Sequence, residues 1–203
     1  MALTKSVASV DDWTAVAQNT VIEGATVDVS PNYQSTLSIF CALTSATAST
    51  NGCEIRVQLS SNSSGDEDWF DFISFQGPTG TANTENLTNN PLAAGSTTIT
   101  CASTTGYTLP TGTDNGLRYI KDSTIANSEV ILQKGLTTNT NITIVDGTTV
   151  EHAQNTPMYN IVGSYVISLP DTAIRARIIY NNTKDAAGST CDVLCRINKI
   201  TAI

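Results

Sequence analysis

The stretch CEIRVQLSSN sets Ile55, Val57 and Leu59 on one side of an extended chain and Glu54, Arg56 and Gln58 on the other. Successive side chains of a strand point to opposite faces, so this alternation describes a half-buried β-strand. The same period recurs at Leu37, Ile39, Cys41 and Leu43, and through WFDFISF. It returns at Tyr165, Ile167 and Leu169, at Ile174, Ala176, Ile178 and Tyr180, and at Cys191, Val193, Cys195 and Ile197. No helical period is sustained over three turns. DDWTAVAQ alone has the character of a single helical turn, with Asp11 or Asp12 as its cap.

Turns divide the strands into two kinds. ASTNG, SSGDED and QGPTG separate three long amphipathic strands near the start, and short turns between strands imply antiparallel pairing. From NNPLAAGSTTITCASTTGY onward the strands become short and Thr-rich, at 97–102, 117–121, 128–132 and 141–145. So many short strands suit a small closed barrel. Longer strands resume after TPMYN. The expectation is all-β: an antiparallel, jelly-roll-like β-sandwich from residues 1–88 and 159–203, with a small β-barrel domain of residues 89–158 inserted at a loop tip. Two consecutive domains are the alternative. Residues 1–20 read as an extended arm that orders on binding a partner.

Charge narrows the partners. The 203 residues carry a formal charge of −8 and only 14% are charged, so Thr, Ser and Asn supply much of the polar surface. Cations do not cluster beyond Arg175 and Arg177, which read as one solvated strand face. That excludes nucleic acid as the main partner. No apolar run is long enough to span a membrane. The five cysteines, Cys41, Cys53, Cys101, Cys191 and Cys195, form no Cys-x-x-Cys pair, and no secretory signal is evident. Four of them, all but Cys101, alternate within apolar strands and read as small buried hydrophobes, in a protein made in a reducing cytoplasm. The sequons at Asn62, Asn86, Asn141 and Asn181 carry little meaning without a secretory route.

Catalytic chemistry finds little to stand on, and no cofactor is expected. His152 is the single histidine, with only Glu151 beside it in sequence, and reads as a loop residue without a chemical role. No nucleophile elbow or phosphate loop is present. Asp66, Glu67, Asp68 and Asp71 put oxygen ligands at one loop-to-strand junction, a weak calcium candidate that a solvated turn explains as well. Trp69, Phe70, Phe72 and Phe75 read as core, with a sugar platform at Trp69 as the alternative.

STLSIFCALTS and CEIRVQLSSNSSGDEDWFDFISFQGP, at 35–45 and 53–78, resemble the opening of β-rich virion proteins of tailed bacteriophages. AAGSTTITCASTTGY, residues 117–149 and EHAQNTPMYN are similar to a small β-barrel module of phage structural proteins, and residues 165–203 to their closing strands. The resemblance covers most of the chain through turn and strand patterns rather than catalytic signatures. It implies a non-enzymatic capsid decoration (cement) protein, made in the bacterial host cytoplasm and seated on the outer surface of the virion. Its partner would be the major capsid protein, and the protein itself a homo-oligomer, a trimer above all. A neck, tail or baseplate component and a carbohydrate-binding adhesion module are the alternatives.

Overall fold

The computed structural model describes residues 3–30, 34–65, 68–110, 114–138, 140–185 and 189–202. In chain order the strands are β1 (Leu3–Val16), β2 (Val21–Glu23), β3 (Val27–Asp28), β4 (Gln34–Leu43), β5 (Glu54–Ser60), β6 (Phe70–Gln76), β7 (Thr84–Asn86) and β8 (Thr98–Thr100). They continue as β9 (Leu117–Ile120), β10 (Glu129–Thr138), β11 (Asn141–Ile144), β12 (Pro157–Tyr159), β13 (Val162–Ser168), β14 (Arg175–Asn181) and β15 (Cys191–Ala202). One 3₁₀ turn, Ile125–Asn127, precedes β10, and the described residues contain no α-helix. The fold is all-β, and its paired strands run antiparallel.

Three sheets stack. A four-stranded sheet has the order β1-β15-β4-β13, and a facing sheet the order β2-β14-β5-β6, with β3 also on β14. Between them lies the main core. Leu37, Ile39 and Cys41 of β4 meet Ile55, Val57 and Leu59 of β5, Ile178 and Tyr180 of β14, and Val193 and Ile197 of β15. Each such aliphatic side chain contributes roughly 1.5–3 kcal/mol on burial. Cys41, Cys53, Cys191 and Cys195 belong to this core as well.

The four-stranded sheet buries its other face too. Phe40 and Ala42 of β4, Leu194 of β15 and Trp13 of β1 pack on Leu117, Tyr119, Val130 and Tyr159 of the third sheet. That sheet has the order β7-β12-β9-β10-β11-β8 and takes all six strands from the continuous stretch between β6 and β13. It curls around a core of its own, built on Leu87, Ile99, Ile120, Ile131, Ile142 and Met158. Its end strands meet through the Leu87–Cys101 bridge, where Thr88 N–H donates to Thr100 O at 2.8 Å. The result is a half-barrel laid against the sandwich.

Two expectations fail at the start of the chain. The expected arm is an edge strand, paired with β15 from Leu3 opposite Ala202 to Val16 opposite Cys191. DDWTAVAQ belongs mostly to that strand and not to a helical turn. Register shifts between Ser9 and Asp11 and between Asp11 and Thr14 break the two-residue period, so the alternation is lost to the eye. Trp13 still reaches the inter-sheet core and Val16 the main one.

Candidate functional site

His152 is not an idle loop residue. Its backbone bridges to Leu92, with N–H···O bonds of 2.9 Å in both directions, and its side chain is fully buried. Nδ1 lies 3.1 Å from Oδ2 of Asp122, just after β9, and Nε2 lies 2.7 Å from Oε1 of Glu129, at the start of β10. An ionised carboxylate only accepts, so with both carboxylates charged the arrangement suits an imidazolium that donates from each ring nitrogen. Burial alone would lower the His152 pKa. The bonds to Glu129 and Asp122 outweigh it and hold the pKa above the ordinary 6.5. Burial likewise opposes the two charged carboxylates, but His152, with Thr124 N–H on Asp122 and Thr149 on Glu129, keeps both below their usual range. The expected neighbour, Glu151, is exposed.

Arg118 on β9 is a second buried charge, fully out of solvent. Nη1 and Nη2 fork onto Asp114 at 2.9 and 2.8 Å, and Nε donates to Oε1 of Gln133 at 2.7 Å. Nη1 also reaches the carbonyl of Asn160 and Nη2 that of Thr108, at 3.2 and 3.1 Å, and the guanidinium lies 5.5 Å from the Tyr107 ring centre. Every donor direction is used, Nε within the half-barrel sheet and the two Nη groups largely on the loop residues Thr108, Asp114 and Asn160. Because side chains alternate along β9, Arg118 and Ile120 face the half-barrel core while Leu117 and Tyr119 face the sandwich.

The third charge sits at the junction. Asp192 of β15 is fully buried, accepts from Tyr119 Oη at 2.9 Å, and pairs with Lys121 Nζ at 2.9 Å. Burial, then the Asp192 charge, pushes the Tyr119 pKa up, so the phenol stays a donor. Both partners come from the half-barrel side, so one carboxylate fastens two sheets together. Asp192→Asn keeps the shape but removes the charge, and is expected to cost about 1.5–3 kcal/mol. Denaturant unfolding checks it.

The residues singled out in the sequence do not converge. Asp66 and Glu67 lie outside the described residues. Asp68 accepts from Asn62 Nδ2, while Asp71 accepts from Gln58 Nε2 at 2.7 Å and lies 3.5 Å from Arg56 Nη1. Among the described residues no group of three or more His, Cys, Asp or Glu side chains gathers to hold a metal. Trp69 is partly covered, with the guanidinium groups of Arg175 and Arg177 at 4.9 and 4.3 Å from its ring centre. Arg177 also pairs with Glu23, and Arg175 donates to the carbonyls of Asn62 and Gly65, so these arginines are a bonded layer rather than a solvated face.

The core reading of the aromatics needs correction. Phe70 and Phe72 are exposed on the edge strand β6, and neither joins the main core. Phe75 does pack on the main core, stacked on Tyr165 at 4.4 Å.

Chemically, these charges are clasps. His152 has both nitrogens engaged and no surface, so it offers no base to a substrate. A cleft of about 430 Å³ opens beside Thr79, Thr108, Asp114 and Asn160, and one of about 300 Å³ between Trp13, Phe40, Leu194 and Arg196. Neither contains His152.

No protein-family model matches the chain, and no curated protein matches it. Among solved structures it is similar to VP17, a capsid protein of bacteriophage P23-77, at 8% identity and a TM-score of 0.21, over 100% of this chain and 98% of that one. The VP16-VP17 complex of the two major capsid proteins of that phage gives 6% identity and a TM-score of 0.21, over 98% of this chain and 100% of that one. A structure of infectious bursal disease virus, Gx strain, gives 10% identity and a TM-score of 0.25, covering 99% of this chain and 42% of that one. Likeness at this level establishes neither a shared fold nor a shared role.

Proposed function

We propose that this chain is a non-enzymatic structural protein of a phage virion that decorates the outer surface of the capsid, binding the major capsid protein lattice as a homo-oligomer. The observation that carries the reading is strand order. Numbering only the eight principal sandwich strands, β1, β2, β4, β5, β6, β13, β14 and β15, the two sheets run 1-8-3-6 and 2-7-4-5. That order supports a jelly-roll sandwich, an architecture used by viral capsid and lectin domains. The half-barrel then reads as a domain inserted between the fifth and sixth strands. The sequence resemblance to phage virion proteins points the same way, and the buried clasps suit a rigid, non-catalytic block.

The test mixes purified protein with undecorated capsids and images the pelleted particles by cryo-electron microscopy. Ordered density between capsomers, with capsids that now resist heat, is the expected result. Failure to bind the shell overturns decoration. Closed shells formed by the protein alone would make it the shell subunit, and glycan binding by the free protein, lost in Trp69→Ala, would make it a lectin.

A further inference from the structure

The sheet edges are not guarded alike. β2, β7 and β8 are three residues each, and β1 carries Lys5 and two register shifts. β13 also runs seven residues without lysine or proline, but Val166 is its one exposed large apolar side chain, and its Tyr165 is stacked on Phe75. Short, charged or bulged edges resist pairing with other chains. β6 runs seven residues, FDFISFQ, without lysine or proline, and its one irregularity is the bulge at Phe72. Phe70, Phe72 and Ile73 on it are 52%, 41% and 42% exposed. An apolar edge of this length is a template for another strand.

Charge selects the occupant. Asp71 is the one charged residue on β6; it accepts from Gln58 Nε2 at 2.7 Å and lies 3.5 Å from Arg56, a cation it shares with Glu54. The strand therefore presents one carboxylate, partly balanced by Arg56, on a chain of charge −8, a place where two such acidic bodies can meet with little opposed charge. We propose that two copies of this chain join edge to edge along β6, antiparallel, about a two-fold axis at Ile73. In that register Asp71 faces Phe75 of the partner subunit and not a second carboxylate. Phe72 lies against Ser74 of the partner subunit, and the two five-stranded sheets become one continuous sheet. Closed two-fold pairing of this kind consumes the edge and leaves nothing for further growth there.

This interface deepens the homo-oligomer part of the proposed function, and it is tested on the free protein, so its failure is distinct from a failure to bind capsids. Sedimentation velocity over a concentration series is expected to show a dimer for the wild type. Ile73→Lys and Phe72→Lys are expected to raise the dissociation constant at least about thirtyfold with the fold intact by circular dichroism, since a hot-spot contact is worth that much. Val7→Lys, at another exposed apolar position, is expected to leave the dimer unchanged. Hydrogen exchange adds a readout free of mutation: the amides of 70–76 gain protection as wild-type concentration rises. A wild type that stays monomeric, a dimer or trimer indifferent to both lysines, or 70–76 exchange independent of concentration overturns the proposal.

Discussion

His152→Ala is expected to destabilise the half-barrel by about 3–5 kcal/mol, the range seen when one member of a buried ion cluster is removed. The substitution leaves Asp122 and Glu129 facing each other across the vacated space, with their compensating cation gone. Glu129 retains Thr149 N–H and Oγ1 as donors, at 2.8 and 2.7 Å, and Asp122 retains Thr124 N–H, so the loss falls on the charge pairing. Thermal and urea unfolding report it, with Trp13 as an intrinsic reporter because its ring centre lies 4.3 Å from that of Tyr119 of the half-barrel, the rings tilted at 37°. A Trp69→Phe background removes the second tryptophan signal.

The same triad sets a pH window. The folded pKa of His152 is raised above 6.5, so its stabilisation is complete below 6.5 and is lost as pH rises through the folded value. The folded pKa values of Asp122 and Glu129 are depressed below 3.8 and 4.5, so their contributions are complete above those values and are lost as pH falls through the folded ones. Wild-type stability from this cluster is therefore flat between 4.5 and 6.5 and declines on both sides. His152→Gln is expected to abolish the alkaline decline. An unaltered alkaline slope in that variant would show that the triad does not set it.

Arg118→Met is the second large effect, again about 3–5 kcal/mol. The methionine fills the cavity, so the loss reports stranded polar partners and not missing volume. Asp114 loses its fork, Gln133 Oε1 its donor, and the Thr108 and Asn160 carbonyls theirs. Gln133 already holds one amide nitrogen that is buried without a partner among the described residues, so the site has no slack to absorb another. Adding Asp114→Leu to Arg118→Met removes the orphaned carboxylate and is expected to restore part of the loss in a double-mutant cycle. No recovery would place the cost in packing instead.

How much of this was legible beforehand depended on whether a signal was local. Strand β5 announces itself because Ile55, Val57 and Leu59 alternate without interruption and its ends are marked by turns. Strands β7 and β12 are three residues each, too short to show a period, and exist because β12 fits between β7 and β9. β10 was legible only over its first half, since its second half pairs with β11 through register shifts and carries Gly135 where a side chain would mark the face. The clasps were hidden for a different reason. His152 meets Asp122 and Glu129 from 30 and 23 positions away, and Asp192 meets Tyr119 from 73, distances across which sequence carries no periodic mark. A lone histidine in an acidic chain was the available hint, and it did not say which carboxylates would close on it.

The pairing of β1 with β15 brings Leu3 opposite Ala202, so the first and last strands end side by side. Tension drawn between those two ends would load the ladder one hydrogen bond at a time, as a zip opens, and β1 would peel away at low force. Tension applied along opposite ends of β4 and β15 would instead shear many bonds together. The molecule is thus mechanically soft in one direction and stiff in another. An attachment through its sheets would hold under strain that an attachment through its ends would not.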